Sequence, residues 1–497
     1  MLKKILSYTL EITVFICGAV VMIFELIGSR ILGPFFGTSI FVWTGLIGII
    51  LGSLSLGYYF GGKLADKQPN LNILSIIIFF ASITIGITML IKSVLLNFFL
   101  NSFFDIQTGS IFASILLFFP ASFLLGMVSP YAAKIKLDSL DTSGSTVGNL
   151  YALSTFGSIA GTFAAGYYLI PRFGTNKLLI ILSVTLILLS LLLQIKKFTK
   201  IKIIAVVMFI SIWPAFNMLN MLAEKNGFID VDTAYNRIWI YDYLDSRSNK
   251  FVKKMGINDE NHSSMFLDSN DLVSEYSKYF HLAINFNPNL KKALLFGGAG
   301  YSYPKDFLLK YPGRTIDVVE IDPQVTELAK KYFRLKDDPR LTIYHDDGRV
   351  FLNKTEKKYD VIFGDAFGSR YSLPYQLTTK EAIQKKYDIL NEDGVVLINL
   401  ISSIEGESGQ FLRAEYATYR SIFPQVYLFP VTDKNDGEKV QNIVLAALKS
   451  TKNQTFTDPD KNLNECLGHL WKKTVDMDTP ILTDDYAPID YYIGKII

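Results

Sequence analysis

The chain has 497 residues, of which 50% are hydrophobic and only 19% are charged, and its mean hydropathy is +0.27. This composition excludes a disordered protein and does not suit a purely soluble one. Two cysteines, Cys17 and Cys466, are too few for a disulfide framework or a cysteine metal cluster, and the four histidines lack metal-ligand spacing. The net charge of +3 is too small to indicate a nucleic-acid partner.

The charges are distributed unevenly along the chain. Residues 1–222 contain 14 basic and 6 acidic residues, a net charge of +8, whereas residues 223–497 carry a net charge of −5. We therefore expect a membrane domain over 1–222 and a β-hairpin or linker subdomain over 223–290. A soluble domain is expected over 291–497.

The first part contains apolar runs of about 20 residues each, which is enough to cross about 30 Å of hydrocarbon as a helix. They lie at 8–29, 38–60, 71–91, 110–132, 147–170, 177–195 and 201–221. This pattern predicts an α-helical polytopic domain of about seven helices in a lipid bilayer. The amphipathic stretch 92–104 leaves the count open by about one.

Three Gly-x-x-x-Gly pairs lie within these runs, at positions 48/52, 57/61 and 157/161. Such spacings allow two helix backbones to approach closely in lipid. We interpret them as packing positions inside the helical domain.

The loops between the runs differ in charge. Ten Lys or Arg residues fall on one side of the predicted membrane and four on the other. The positive-inside rule therefore places the N-terminus in the cytoplasm. Seven crossings would then place the C-terminal domain outside.

The second part alternates strands and helices from about residue 291 onwards. Before it, 228–244 and 263–268 have strand-like patterns and 271–285 looks helical. Strands are predicted at 293–296, 315–321, 341–344, 359–364, 394–401, 425–429 and 441–447, with helices at 303–311, 324–333, 379–391 and 408–421. This order predicts an α/β Rossmann-like domain with a doubly wound parallel sheet, of the S-adenosylmethionine methyltransferase type.

A glycine-rich turn follows the first of these strands. Gly297, Gly298 and Gly300 would let the backbone approach a ligand closely, and Glu320 ends the next strand about 20 residues later. A carboxylate there can accept hydrogen bonds from both ribose hydroxyls. The turn departs from the G-x-G-x-x-G pattern, so an adenosine ligand without a pyrophosphate fits better than NAD.

Two further strand ends carry carboxylates. Asp346, Asp347 and Gly348 follow the third strand, where a carboxylate can accept a hydrogen bond from an adenine amine, and Asp365 ends the fourth. The alternative is that Asp346 or Asp347 is a helix N-cap.

Several segments together resemble the spermidine synthase (polyamine aminopropyltransferase) family. They are VVEIDPQVTELAKKYF, DDGRVFL, YDVIFGDAFG and LTTKEA, in that order. LTDDYAPID, GMVSPYAAKI and LYALSTFGSIAGTFAAGYYLIPRFGT are similar to the branch of this family with N-terminal transmembrane helices. The resemblance covers about 228–450, and the last three segments lie at 482–490, 126–135 and 150–175.

The resemblance implies roles for individual residues. Asp365 matches the catalytic carboxylate, Glu320 the ribose ligand, and Asp347 with Gly348 the adenine contacts. Asn236 stands where the family has a nucleotide-contacting glutamine. The implied co-substrate is decarboxylated S-adenosylmethionine or S-adenosylmethionine, without a metal. The reaction would be attack of an amine on the carbon bound to sulfur, releasing methylthioadenosine.

Two positions depart from the family pattern. Gly300 stands where the family's glycine turn carries an acidic residue, and Gly368 replaces a second carboxylate after the catalytic aspartate. Both losses would weaken recognition of a diamine such as putrescine.

Three functions therefore stay open at this point. The first is a membrane-bound aminopropyltransferase, and the second is an S-adenosylmethionine-dependent transferase or lyase with an apolar or membrane-borne acceptor. The third is a transporter or sensor whose soluble domain binds a nucleoside or polyamine. Whether the chain forms a homodimer is also open.

The side of the membrane gives the first testable prediction. The lysine bias with seven crossings predicts that a reporter fused after Leu222 lies outside the cytoplasm. The sulfonium co-substrate is made in the cytoplasm, so an enzyme that uses it requires the C-terminal domain, and therefore the reporter, in the cytoplasm. An external reporter would contradict cytoplasmic polyamine synthesis, and an internal one would contradict the count of seven.

Overall fold

The computed structural model describes residues 2–101, 105–137, 143–193, 199–258, 260–366 and 374–496. It divides into two compact units. The N-terminal unit comprises Met1–Asn226 and Asp232–Asn236, and the C-terminal unit comprises Gly227–Val231 and Arg237–Ile497.

The described part of the N-terminal unit is helical. Its helices are α1 (Leu2–Phe36), α2 (Ile40–Lys67), α3 (Leu71–Leu100), α4 (Ile106–Gly126), α5 (Val128–Lys136), α6 (Ser143–Ala164), α7 (Ile170–Leu193) and α8 (Thr199–Lys225), and a short π-helical turn, Ala165–Leu169, joins α6 to α7. The start of α3 is stabilised by Asn70, whose side chain accepts a hydrogen bond from the backbone N–H of Asn72.

Five segments of the described residues are long and apolar enough to cross a membrane, compared with about seven predicted crossings. They are Tyr8–Phe36, Ile40–Lys67, Leu71–Leu100, Gln107–Lys136 and Ser143–Leu193. The last has 51 residues and bends at Gly174, whose φ of 69° is not helical. It is long enough for two crossings, because about 20 residues suffice for one. Residues 92–100 of the ambiguous stretch belong to α3.

Two of the three glycine pairs lie at close helix contacts. A Cβ atom at Gly157 would collide with the carbonyl oxygen of Phe15 on α1, and one at Gly161 would lie 2.5 Å from that of Ala19. The 57/61 pair packs in the same way against residues 123–127. At Gly48 and Gly52, the third pair, no atom beyond the neighbouring residues and the backbone of the same helix lies within 4 Å of such a Cβ position. The 48/52 pair therefore does not serve helix packing within the described residues.

The C-terminal unit begins with a four-stranded sheet of order β1-β2-β3-β4. Its strands are β1 (Ile229–Asp232), β2 (Arg237–Asp245), β3 (Lys250–Ile257) and β4 (Glu260–Phe266). The sequence pattern missed β3, because its central Lys253-Lys254 pair interrupts the alternation of apolar and polar residues. The stretch predicted as one helix over 271–285 is two short ones, α9 (Glu275–Tyr279) and α10 (Leu282–Phe286).

A seven-stranded sheet follows, with the order β10-β11-β9-β8-β5-β6-β7. Its strands are β5 (Lys292–Phe296), β6 (Thr315–Val319), β7 (Leu341–Tyr344), β8 (Tyr359–Gly364), β9 (Leu390–Ser402), β10 (Gln425–Pro430) and β11 (Gln441–Leu448). The helices are α11 (Ser302–Lys310), α12 (Pro323–Tyr332), α13 (Gly348–Lys354), α14 (Lys380–Ile389), α15 (Gln410–Arg420), α16 (Lys461–Leu467) and α17 (Ile489–Ile493).

The α/β Rossmann-like fold class predicted from the sequence is confirmed, with one difference at the edge of the sheet. Strands β5 to β9 are parallel to one another, but β11 is antiparallel to β9, and β10 is antiparallel to β11. The short connection 431–440 explains the difference, since a parallel pair would need a longer crossover.

Both faces of the seven-stranded sheet are buried. Along β5, Ala293 and Leu295 belong to one apolar cluster, whereas Leu294 and Phe296 belong to another on the opposite face. This arrangement gives continuous apolar strands, as expected where helices cover both sides of a parallel sheet. Polar groups consequently concentrate at the strand ends.

The glycine contacts generate a prediction about the N-terminal unit. Gly157→Ala should lower stability by about 1–3 kcal/mol, because the added methyl group forces α1 and α6 apart. Gly48→Ala, the matched control, should be neutral or stabilising by up to about 1 kcal/mol through helix propensity. Thermal unfolding of the purified chain in detergent would measure both. Equal shifts for the two variants would contradict the packing role of Gly157.

Candidate active site

The site is built at the carboxyl edge of four adjacent parallel strands. In the sheet order β8-β5-β6-β7, Asp365 follows β8, the turn at Gly297 follows β5, Glu320 follows β6, and Asp346 with Asp347 follows β7. The register pairs Phe296 with both Gly364 and Val319. These strand ends are therefore level, and ligands of such sheets bind at this edge.

The turn after β5 has a backbone that most residues adopt only at a cost. Gly297 has a φ of 92°, and Ala299 and Tyr301 have φ values of 42° and 52°, in the left-handed region. A Cβ atom at Gly297 would lie 2.5 Å from the carbonyl oxygen of Asp365. A residue with a side chain at 297 would therefore displace the turn from the β8 strand end.

Glu320 holds this turn in place. Its Oε2 accepts hydrogen bonds from the backbone N–H groups of Gly298, at 2.9 Å, and Ala299, at 3.2 Å, and its Oε1 accepts one from Asp322 at 3.0 Å. Burial raises the pKa of Glu320, and these three hydrogen bonds oppose the rise. The turn's N–H groups are thus engaged by a carboxylate, an arrangement that does not suit binding of a pyrophosphate.

Asp365 is held by two side-chain donors. The Tyr276 hydroxyl donates to Asp365 Oδ2 at 2.8 Å, and Asn399 Nδ2 donates to Asp365 Oδ1 at 3.4 Å. Burial raises the pKa of Asp365 to about 6, against the opposing effect of both hydrogen bonds. The carboxylate is therefore largely ionised at neutral pH and able to accept a proton.

A cavity of about 1330 Å³ opens beside Asp365. Gly297 and Gly298 also line it, as do Tyr276 and Asn399. The other predicted site residues of this unit, Gly300, Glu320, Asp347 and Gly348, are not part of its wall. The structure thus brings all of them to one sheet edge but exposes only Gly297, Gly298 and Asp365 to this cavity.

Asp347 is a helix N-cap, which the sequence analysis gave as an alternative. Its Oδ1 accepts hydrogen bonds from the backbone N–H groups of Arg349 and Val350, which start α13. Asp346 accepts one from the N–H of Asp347. These two hydrogen bonds to one oxygen fix the side chain of Asp347 at the strand end. A contact between Asp347 and a nucleotide remains a prediction.

Three other predicted positions have different surroundings. Gly300 is crowded, because a Cβ atom there would lie 2.6 Å from Ser263 Oγ and 2.7 Å from Phe333 Cδ1. Gly368 lies outside the described residues. Asn236 belongs to the N-terminal unit, where its backbone N–H donates to Thr233 Oγ1 at 2.8 Å.

Sequence reasoning missed Tyr276, Asn399 and Asn442. Asn442 Nδ2 donates to Asn399 Oδ1 at 3.0 Å and extends the network away from Asp365. Asn399 had a usable signal, because it is one amide within the apolar stretch VVLINLI. Tyr276 and Asn442 had none, since neither stands out from its neighbours in the sequence.

Among the residues that the structure describes, no group of three or more His, Cys, Asp or Glu side chains could hold a metal ion.

Comparisons with known proteins agree with the sequence motifs. The family profile described as Spermine/spermidine synthase domain matches residues 274–454. The chain is 29% identical over 225 residues to the polyamine aminopropyltransferase of Vibrio vulnificus, covering 44% of this chain and 71% of that protein. It is 22% identical over 406 residues to polyamine aminopropyltransferase 2 of Aquifex aeolicus, covering 79% and 78%. The crystal structure of a probable spermidine synthase from Corynebacterium glutamicum aligns with 45% of this chain and 81% of its own, at 21% identity and a TM-score of 0.38.

Residues 274–454 therefore form a spermine/spermidine synthase domain, and curated relatives of the chain are named polyamine aminopropyltransferases. The resemblance seen in the sequence is confirmed.

The hydrogen bonds of Glu320 lead to a stability prediction. Glu320→Gln should destabilise the C-terminal unit by about 1–3 kcal/mol, because an amide NH₂ would then face a buried backbone donor. The matched control is Glu327→Gln at an exposed position of α12, which should change stability by less than about 0.5 kcal/mol. Thermal unfolding measures both. If Glu320→Gln unfolds like the control, Glu320 does not hold the turn.

Proposed function

We propose that the C-terminal unit transfers an aminopropyl group from decarboxylated S-adenosylmethionine to an amine such as putrescine. The observation that carries the proposal is Asp365, a carboxylate between two donors on the wall of a large cavity, next to the glycine turn. The domain identity and the names of the relatives support the same reaction class.

The reaction needs a group that accepts a proton. The lone pair of the acceptor nitrogen attacks the carbon bound to the sulfonium sulfur, the carbon–sulfur bond breaks, and its electron pair stays on sulfur in methylthioadenosine. The new nitrogen–carbon bond leaves one proton in excess on nitrogen. We assign its acceptance to Asp365, whose pKa of about 6 lies near neutral pH.

Orientation would provide most of the remaining acceleration, because an in-line approach of nitrogen to carbon must be held by the site. Tyr276 and Asn399 fix both oxygens of Asp365 and thereby its direction within the cavity. We assign the nucleoside to the Glu320 and Asp347–Gly348 side of the sheet edge and the amine to the Asp365 side. Asn236 is retained as a predicted nucleotide contact.

We further propose that the chain is anchored in a lipid bilayer by its N-terminal unit. Five segments that are long and apolar enough to cross a membrane support this, and the lysine bias supports a cytoplasmic N-terminus. An enzyme that uses a cytoplasmic sulfonium co-substrate requires the C-terminal unit on the same side.

A second candidate is transfer from S-adenosylmethionine itself to an apolar or membrane-borne acceptor. The crowded position of Gly300 favours it, since Ser263 and Phe333 occupy the space that an acidic side chain would need. Without a carboxylate at 300, the anionic contact that holds the aminopropyl end of the donor in the family is absent.

Calorimetry of the purified full chain distinguishes these functions. We expect decarboxylated S-adenosylmethionine and methylthioadenosine to bind more tightly than S-adenosylmethionine. Asp365→Asn should retain this nucleotide binding but lower aminopropyl transfer by about 10²–10⁴-fold, because the proton acceptor is lost.

Two results would contradict the proposal. Preference for S-adenosylmethionine would favour the second candidate, and full transfer activity of Asp365→Asn would remove Asp365 from its role. Asp360→Asn is a matched control, because Asp360 on the same strand β8 accepts hydrogen bonds from the backbone of Lys291 and Lys292 instead. It should leave kcat unchanged.

A further inference from the structure

The hydrogen bonds around Asp365 have a fixed direction. An ionised carboxylate only accepts hydrogen bonds, so Asn399 presents its NH₂ group to Asp365. The remaining atom of the Asn399 amide is its oxygen, which also only accepts. Asn442 satisfies it by donating from Nδ2 at 3.0 Å. The chain of donors therefore runs from Asn442 through Asn399 to Asp365.

The two asparagines are held at this distance by the sheet. Asn399 lies on β9 opposite Val444 of β11, and Asn442 is two residues from Val444 on the same strand. Such diagonal neighbours on an antiparallel pair project from the same face. Asn399 is only 3% exposed although it borders the cavity, and Asn442 is the protein group that satisfies its amide oxygen.

We propose that Asn442 is a positioning residue, which fixes the Asn399 amide so that its NH₂ group, and not its oxygen, faces Asp365. An asparagine amide has two orientations of nearly the same shape. In one it stabilises the carboxylate, and in the other it places a carbonyl oxygen against it. Asn442 selects the first orientation without itself bonding to Asp365.

The consequence is a change in the titration of Asp365. The described elements around it present one titratable side chain in contact, Tyr276, whose own pKa is raised well above its usual value by burial and by Asp365. The turn at Gly297 and strand β9 contribute backbone and amide groups, which carry no charge. Tyr276 thus stays protonated at neutral pH, and loss of the Asn399 donor should raise the pKa of Asp365 above its value of about 6.

The variant Asn442→Asp tests the proposal with little change in shape. Because a carboxylate at 442 only accepts, Asn399 would turn its NH₂ group towards it and its oxygen towards Asp365. We expect the titration midpoint of Asp365 to rise by about one pH unit. It can be followed by infrared difference spectroscopy of the carboxyl group in the full chain, with Asp365→Asn identifying the band.

A double-mutant cycle separates orientation from added charge. In the Asn399→Leu background the charge at residue 442 remains, but no amide can be turned. If the orientation matters, Asn442→Asp shifts the midpoint at least twice as far in the native background as in this one. Equal shifts would overturn the proposal, because the variant would then act through its charge alone.

Asn442→Leu provides a second, uncharged variant. It removes the orienting donor, and we expect a smaller rise of the midpoint in the same direction. Suppose that Asn442→Leu leaves the Asp365 midpoint unchanged and that Asn442→Asp shifts it equally in both backgrounds of the cycle. The Asn399 amide would then keep its orientation without Asn442, and the proposal would be wrong.

The proposal deepens the proposed function, but its test does not depend on it. The midpoint is measured without donor or acceptor. A shifted midpoint in a protein without aminopropyl transfer contradicts the function and leaves the positioning role intact. If transfer is found, the acid limb of its pH profile should move with the midpoint, since activity falls as Asp365 is protonated below about pH 6. If the protein transfers aminopropyl groups but the Asn442 variants leave the Asp365 midpoint unchanged, the positioning role is contradicted and the proposed function is not.

Discussion

The close approach of the Gly297 turn to the carbonyl oxygen of Asp365 is the constraint on which the site depends. It joins the ends of β5 and β8, and it leaves no room for a Cβ atom at 297. Glu320 then fixes the other side of the turn through Gly298 and Ala299. Three neighbouring strand ends are thus tied together, by a backbone contact between β5 and β8 and by the Glu320 carboxylate between β5 and β6, so the position of Asp365 follows from the sheet.

Much of this arrangement could be predicted from the sequence. The strand ends were visible because buried parallel strands read as short apolar runs, so that Glu320 and Asp365 stand out where the runs stop. The crossover order could be read for β5 to β9, but not for β10 and β11, because apolar alternation does not encode strand direction. β3 was missed because tertiary packing accommodates Lys253 and Lys254 in a strand.

The partners of Asp365 were beyond sequence reasoning for a different reason. Tyr276, Asn399 and Asn442 come from three elements that are separated in the chain: the sheet order brings β9 and β11 together, and the packing of α9 adds Tyr276. An asparagine in an apolar strand signals a buried hydrogen bond but does not name its partner. The same limit applies to Gly300, whose crowding by Ser263 and Phe333 depends on how β4 meets the turn.

The two buried carboxylates of the site differ in the groups that offset the cost of their burial. This difference separates the structural role of Glu320 from the proton-accepting role of Asp365. The burial of Glu320 is offset by three backbone N–H groups, of which those of Gly298 and Ala299 cannot move without unfolding the turn. Asp365 is compensated by a hydroxyl and an amide, which side-chain rotation can rearrange. Protonation of Glu320 would disrupt the turn, whereas protonation of Asp365 changes only a local network. Of the two, Asp365 is therefore the carboxylate that can take up and release a proton during turnover while the fold stays intact.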